Sequence, residues 1–201
     1  YLTGSRRPFA FQGVKLRLGP GRLLPGKEVA PAPPPPPGPF APLEARRDYL
    51  DHLRKSAQGL ALKRGVVYLD AMGGAGGGIL GQVLKRLEAP VELRELHPLP
   101  HPLFYGVAPD PRPEHLRTLR LLLREAKPPA LGLALDGDAD RLGVYLPGGE
   151  ALPGDQALAR LREAAQGREV EALGEGAYRF PWHLEEPDPF LAALLLMGVL
   201  L

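Results

Sequence analysis

Three aspartates at alternate positions form the most chemically informative pattern in the sequence. They lie in the stretch 131–145, LGLALDGDADRLGVY, where an apolar run ends at Asp136, Asp138 and Asp140 and Arg141 follows. Alternate residues of an extended or turning segment point the same way, so the three carboxylates should face one another. Carboxylates held this close repel each other strongly unless a cation lies among them. The pattern therefore predicts a Mg²⁺ site, because Mg²⁺ prefers hard oxygen ligands and keeps coordination positions for water or phosphate.

Other interpretations of the acidic stretch differ in how well they fit. A helix-flanked calcium loop requires Gly and Glu at the positions that Arg141 and Pro147 occupy, so that motif is excluded. A solvated acidic turn between two strands remains open. So does a phosphatase with an aspartate nucleophile, since such enzymes also place two acids after a strand.

The segments around the aspartates alternate between strand and helix patterns. Continuous apolar runs predict buried strands, and leucines at helical spacing predict helices. In chain order the predicted elements are a strand over 66–69, a helix over 78–87, a second strand over 91–96, a helix over 114–126, and strands over 131–135 and 142–146. Alternation of this kind implies an α/β fold with a mixed, mostly parallel sheet sandwiched by helices.

Further elements are predicted on either side of this unit. An amphipathic helix is expected over 43–60, and a turn feeding a helix over 150–161, with Asp155 as its cap. The stretch 179–188 reads as a loop and contains His183, a lone histidine that is more often structural than catalytic. The apolar run 190–201 predicts a final buried helix, too short to cross a bilayer.

A glycine-dense loop follows the first predicted strand and allows a nucleotide-binding alternative. Gly76, Gly78 and Gly81 fit the pattern G-x-G-x-x-G, and Glu92 or Glu95 could bind a ribose at the end of the next strand. With so many glycines in the loop, the match is weakly specific. We prefer a tight strand-to-helix turn beside a ligand cleft.

The N-terminal part of the chain is basic and contains a serine with two arginine neighbours. Residues 1–27 carry six Lys and Arg residues and no acid, which favours an anionic partner. Ser5 precedes Arg6 and Arg7 in a predicted loop, where guanidinium groups could steady a phosphate on the hydroxyl. Lys15 lies on a predicted strand over 13–18, and the proline-rich stretch 31–42 predicts an extended connector.

Composition narrows the class of protein further. The chain has 201 residues, a formal net charge of +2 and no cysteine, so disulfides and thiolate chemistry are excluded. No signal peptide or membrane-spanning run is visible, and the cytoplasm is the default expectation. The basic segment has neither interleaved aromatic residues nor a helix-turn-helix signature, so neither nucleic acid nor a membrane is the expected partner.

Taken together, these motifs resemble the α-D-phosphohexomutases, the phosphoglucomutase and phosphomannomutase family. DGDADRLGVY followed by GDQALA is similar to that family's metal loop, and YLTGSRRPFAFQGVKL to its TASHNP…NGxK stretch. LEARRDYLDHL, VVYLDAMGGAGG and HLEEPDPFLAALLLMGVL resemble, in order, the end of the first domain, the start of the second and the end of the third. The resemblance implies three parts: 1–60 from domain I, 61–150 as a complete domain II, and 151–201 as a remnant of domain III.

The resemblance also implies an activity and a set of site residues. The family moves a phosphoryl group between C1 and C6 of a hexose phosphate, such as glucose or mannose phosphate, through a phosphoserine, a hexose 1,6-bisphosphate and Mg²⁺. Ser5 would be the phosphoserine, Lys15 would assist proton transfer and Arg141 would steady the phosphoryl group. The metal ligands would be Asp136, Asp138 and Asp140, and the substrate-binding residues Arg6, Arg7, Glu175 and His183.

Several positions depart from the family pattern. Arg6 and Arg7 replace the usual His-Asn after the serine, and Gln12 replaces the Asn before Gly13. The sugar-binding motif G-E-x-S-G is altered to GEGAYRF, which keeps Glu175. Most of the third domain, the first half of the first and the whole fourth have no counterpart in the sequence. A catalytically degenerate relative that binds Mg²⁺ or a phosphosugar without turnover is therefore the main alternative.

Overall fold

A computed structural model describes residues 45–201 in full and, of the first 44 residues, only the backbone of four short strands. Strands β1 (Leu2–Thr3) and β2 (Gly13–Val14) pair antiparallel. Strands β3 (Leu16–Leu18) and β4 (Arg22–Leu24) form a second antiparallel pair. The strand predicted over 13–18 is thus observed as β2 and β3, and Lys15 between them lies outside the described residues.

A four-stranded sheet forms the centre of the described fold. Its strands are β5 (Gly65–Asp70), β6 (Val91–Leu96), β7 (Ala130–Leu135) and β8 (Leu142–Tyr145), in the order β6-β5-β7-β8. Strands β6, β5 and β7 are parallel, and β8 pairs antiparallel with β7. The carboxyl ends of the three parallel strands therefore meet at one edge of the sheet, where ligand sites of α/β proteins form.

Helices cover both faces of this sheet. The described helices are α1 (Ala45–Ser56), α2 (Ile79–Arg86), α3 (Arg117–Glu125), α4 (Gly154–Ala164) and α5 (Pro189–Leu200). Buried residues of α1, α2, α4 and α5 share one core with Val67, Leu69 and the odd-numbered positions of β7. On the other face, α3 packs against Tyr68, Ala134 and Tyr145. The predicted mixed, mostly parallel α/β fold is confirmed.

A second, antiparallel sheet occupies the C-terminal part of the chain. Its strands are β9 (Glu171–Gly174), β10 (Ala177–Phe180) and β11 (Leu184–Pro187), in the order β11-β10-β9. The prediction of a loop over 179–188 is wrong here, because most of that stretch belongs to β10 and β11. These strands are only four residues long and irregular in register, so they leave little alternation to recognise.

Two predicted helices differ from the structure in detail, and a third is confirmed. Pro153 precedes α4, and Asp155 lies within the first turn, so its predicted capping role is wrong. The helix predicted over 114–126 is a 3-10 turn over Pro113–His115 followed by α3. The final apolar helix is confirmed as α5, whose residues 189–197 are all buried. Among the described helices, none combines the length and apolar character that a bilayer crossing requires.

Candidate metal centre

The acidic loop begins directly after β7 and is organised by Asp136. Every residue of β7 is buried, and the Asp136 side chain that follows is fully buried as well. Its Oδ1 accepts hydrogen bonds from the backbone N–H of Asp140 at 3.0 Å and of Arg141 at 3.2 Å. Ala139 takes a left-handed conformation (φ 56°), which lets the chain turn back on the carboxylate. Asp136 therefore fixes the shape of the loop 136–141, which we call the acidic loop.

The three carboxylates converge as the alternate spacing predicts. Asp136, Asp138 and Asp140 each place one oxygen within 4.8 Å of the others, and no other cluster of potential ligands of this kind occurs among the described residues. Burial, together with the negative charges of Asp140 and Asp138, raises the pKa of Asp136 to about 8. A divalent cation would offset this repulsion, and three carboxylate oxygens are a suitable donor set for Mg²⁺.

Burial also decides between two interpretations of the loop. A solvated turn would leave its carboxylates in water, whereas Asp136 has no exposed surface. Arg141 places its Nε 3.8 Å from an oxygen of Asp136 and 3.8 Å from an oxygen of Asp140. The side chain of Arg141 is about 30% exposed and thus lies between the acids and the solvent. An incoming anion would meet its guanidinium group at the edge of the acidic loop.

The glycine loop supports the acidic loop. The N–H of Ala75 donates to the carbonyl of Gly137 at 3.0 Å, and a β-carbon on Gly74 would lie only 2.6 Å from that oxygen. Gly77 approaches the backbone of Pro98 in the same way. The glycines therefore allow close contact between segments of the same chain, as the preferred interpretation of a tight turn requires.

A hydrogen bond at the start of α2 leaves no basis for the nucleotide-binding alternative. In a dinucleotide fold the N-terminus of the helix after the glycine loop binds pyrophosphate. Here the N–H of Gly78, at the start of α2, donates to the Glu95 carboxylate at 3.0 Å. Glu95, considered above as a ribose ligand, instead neutralises the helix terminus.

Several contacts around the acidic loop were not predicted from the sequence. The N–H of Gly137 donates to Pro109 in the loop after β6, which fixes that side of the site. Asp70, the last residue of β5, accepts from the N–H of Met72 at 2.8 Å and lies 2.9 Å from Nδ1 of His97. The contacts of Gly137 with Pro109 and of Asp70 with His97 join segments far apart in the chain, so no local pattern indicated them.

The other predicted site residues are distributed over three places. Ser5, Arg6, Arg7 and Lys15 lie outside the described residues. Glu175 is in the β9–β10 turn with its side chain 77% exposed, 3.8 Å from Arg112, and borders a cavity of about 250 Å³ that excludes the acidic loop. The structure thus places Arg141 beside Asp136 and Asp140, whereas Glu175 is in the neighbouring turn, where Gly176 accepts a hydrogen bond from the N–H of Leu142.

His183 lies in a buried polar cluster. Its imidazole has no exposed surface and is 2.7 Å from Asp188 through Nε2 and 2.7 Å from the Ser56 hydroxyl through Nδ1. Both ring nitrogens are therefore used within the protein. Its assignment to substrate binding stays a prediction, and these contacts give the imidazole a structural role.

A cavity of about 370 Å³ opens beside the acidic loop. Asp138 and Asp140 line it together with Tyr49, Glu186 and Asp188, which were not predicted from the sequence. Asp188 could have been found, because a polar residue followed by proline is a signal for a helix N-cap. Tyr49 had no such signal, since an aromatic residue in an amphipathic helix usually belongs to the core.

The fold and the acidic loop define an α/β protein with a cluster of carboxylates at the carboxyl edge of its sheet. The family model described as phosphoglucomutase/phosphomannomutase, alpha/beta/alpha domain II, matches residues 47–149, about half of the chain. The chain belongs to the phosphoglucomutase/phosphomannomutase family.

Individual relatives agree with this assignment. The phosphoglucomutases of Neisseria meningitidis serogroup B and Neisseria gonorrhoeae are both 31% identical over 169 residues, a match that covers 78% of this chain and 35% of theirs. A solved structure from Thermus thermophilus, provisionally described as a phosphomannomutase, is 29% identical with a TM-score of 0.81. That match covers 99% of this chain and 58% of the other.

A second solved structure shares the fold. The phosphoglucomutase/phosphomannomutase family protein of Burkholderia thailandensis has a TM-score of 0.61 at 20% identity, over 77% of this chain and 43% of that protein. The chain thus spans about a third of the length of the Neisseria relatives. These relatives are phosphohexomutases, an isomerase class that acts in carbohydrate metabolism.

Proposed function

We propose that this protein carries out Mg²⁺-dependent phosphoryl transfer between C1 and C6 of a hexose phosphate through a phosphoserine at Ser5. The observation that carries the proposal is the convergence of three carboxylates within 4.8 Å, with Arg141 beside them. The names of the relatives support the reaction class. The substrate would be a glucose or mannose phosphate, with the hexose 1,6-bisphosphate as intermediate.

Each part of the proposed site has one chemical task. Asp136, Asp138 and Asp140 would hold Mg²⁺, which supplies positive charge against the transferring phosphoryl group when it is bound. Arg141 would bind phosphoryl oxygens at the rim of the acidic loop. Lys15 would assist proton transfer at the sugar hydroxyl, and Arg6 and Arg7 would bind the sugar phosphate beside Ser5. Glu175 and His183 remain proposed substrate ligands.

The proposed domain division follows the family pattern. Residues 1–60 would be the end of domain I with the serine loop, residues 61–150 domain II with the acidic loop, and residues 151–201 a remnant of domain III. The main alternative is a degenerate relative that binds Mg²⁺ or a phosphosugar without turnover. The altered residues around Ser5 and in GEGAYRF are the observations that favour it.

Intact-mass spectrometry separates the enzyme from its degenerate relative. The protein is incubated with Mg²⁺ and glucose 1,6-bisphosphate, and then with glucose 1-phosphate or mannose 1-phosphate. We expect one added phosphate that maps to Ser5 and is discharged by one of the monophosphates. Ser5→Ala is the matched control and should gain no phosphate. A protein that binds Mg²⁺ but never acquires a phosphate on Ser5 would instead be the degenerate relative.

A further inference from the structure

A buried polar cluster joins three segments next to the acidic loop. The hydroxyl of Tyr49, on α1, donates to the two carboxylate oxygens of Asp188 at 3.0 and 3.1 Å. His183 connects Asp188 to Ser56, at the end of α1. The cluster therefore ties α1 to the start of α5 through hydrogen bonds to one buried carboxylate.

Both carboxylate oxygens of Asp188 accept hydrogen bonds. It is 2% exposed, and besides Tyr49 and His183 its Oδ1 accepts from the N–H groups of Phe190 and Leu191, both at 2.9 Å. A buried carboxylate is costly unless donors of this kind surround it. Asp188 thus caps α5, and the hydrogen bond from Tyr49 offsets part of the cost of burying its carboxylate.

The Tyr49 hydroxyl is a dependable donor in this cluster. Burial, followed by the negative charge of Asp188, raises the pKa of Tyr49 well above its usual range. The hydroxyl therefore keeps its proton well above neutral pH and stays available as a donor to Asp188.

Packing extends from this cluster to the acidic loop. The ring of Tyr49 meets the ring of Phe190 edge-on, with 6.3 Å between the centroids. Phe190 packs under Gly76, where its Cζ would be 3.3 Å from an added β-carbon, and Ala139 would be 3.1 Å from the same atom. Ala139 separates Asp138 from Asp140. Phe190 and Ala139, which lies between two proposed metal ligands, thus approach the same glycine.

We propose that Tyr49 is a positioning residue that holds the acidic loop ready for a divalent cation. Through Asp188 it fixes the start of α5 and hence Phe190, which packs together with Ala139 against Gly76. Asp138 and Asp140 are then kept at a metal-binding separation before the cation arrives, so little binding energy is used to order them. The inference rests on the proposed metal site, and Tyr49 itself touches neither metal nor substrate in it.

The test removes the single hydroxyl and measures cation binding without sugar phosphate. Tyr49→Phe keeps the ring against Phe190 and deletes only the donor to Asp188. Titration calorimetry with Mn²⁺ and Mg²⁺ should show an affinity about three- to tenfold weaker. This is less than the roughly 10–100-fold cost of losing a group that contacts a metal ligand directly, because Tyr49 acts through Asp188 and Phe190. Tyr178→Phe is the matched control, because Tyr178 is also buried and its hydroxyl contacts Gly154 instead. Its cation affinity should match the wild type.

A second readout uses the metal-free protein. Hydrogen exchange of the Asp140 and Arg141 amides, which donate to Asp136, should accelerate in Tyr49→Phe and stay unchanged in Tyr178→Phe. Asp188→Asn keeps a capping side chain, so it should show the same two effects if Tyr49→Phe does not fold.

The outcomes separate this inference from the proposed function. If Tyr49→Phe unfolds at a lower temperature but keeps wild-type affinity and wild-type exchange in the acidic loop, Tyr49 is merely structural and the inference is overturned. If the wild type binds neither cation, the proposed metal site is wrong. The exchange comparison then decides whether Tyr49 shapes the loop at all.

Discussion

The acidic loop and the β9–β10 turn both present carboxylates, but they are built in opposite ways. In the acidic loop Asp136 is fully buried, receives two backbone N–H groups and faces two further acids. In the turn, Glu175 is largely exposed and has one long ion pair with Arg112. Burial of mutually repelling carboxylates destabilises a protein unless they have a ligand, whereas an exposed glutamate costs almost nothing. The acidic loop therefore indicates a function, and the turn by itself does not.

The largest difference between the two regions should appear when one carboxylate in each becomes an amide. Asp138→Asn should weaken Mg²⁺ binding by at least about 100-fold, because loss of a direct ligand should exceed the 10–100-fold cost of losing a supporting contact. Glu175→Gln makes the same chemical change outside the acidic loop and should leave the Mg²⁺ affinity unchanged. Titration calorimetry measures both, with circular dichroism to show an intact fold. Wild-type affinity in Asp138→Asn would mean that the metal assignment is wrong.

A smaller effect should follow when a side chain is added at the point where the glycine loop contacts the acidic loop. Gly74→Ala places a β-carbon 2.6 Å from the carbonyl oxygen of Gly137, so backbone must shift. We expect a loss of about 1–3 kcal/mol in the free energy of unfolding, as for other overpacked sites, and weaker Mg²⁺ binding. The control is Gly198→Ala in α5, where nothing lies within 4 Å and alanine should stabilise the helix by up to about 1 kcal/mol. Urea unfolding of both variants provides the comparison, and equal stability would show that the two loops are not in close contact.

The smallest effect should be a pH dependence that belongs to the acidic loop alone. The pKa of Asp136 is raised to about 8 in the folded protein, whereas an unfolded aspartate has a pKa of about 4. Between these values the folded state holds more protons, so the stability of the metal-free protein should fall as the pH rises from 5 to 8.5, by at least about 1 kcal/mol. Mg²⁺ should restore more stability at the upper end of this range.

Asp136→Asn tests the source of that slope. The amide oxygen can still accept the N–H groups of Asp140 and Arg141, but it does not titrate. The metal-free variant should therefore lose most of the slope in thermal unfolding between pH 5 and 8.5. A slope as steep as that of the wild type would assign the effect to other groups.

The central sheet was predictable because its signals are local. Strand β7 (Ala130–Leu135) is buried and apolar throughout, and its predicted range, 131–135, misses only its first residue. The edge strand β6 (Val91–Leu96) coincides with its predicted range, although it alternates between apolar and charged residues. The convergence of Asp136, Asp138 and Asp140 followed from alternate spacing after strand β7. Strands β10 and β11 were missed because four-residue strands with an irregular register carry almost no periodicity.

Contacts between distant segments could not be predicted from the sequence. Tyr49 and Asp188 are 139 positions apart, and only the packing of α1 against α5 brings them together. For Glu95 the sequence allowed two roles, because its position suited both a ribose ligand and a partner for the N-terminus of α2. The hydrogen bond to Gly78 favours the second role.

The close approach of Gly76 to Leu135 has a consequence for how this protein can change over evolutionary time. A side chain at position 76 would overlap Leu135, at the end of β7, and would also press on Ala139. Side chains at positions 76 and 135 would thus occupy the same space, although 59 positions separate them in the sequence. We expect an increase in side-chain size at one of them to survive only beside a reduction at the other, so that the pair is inherited together.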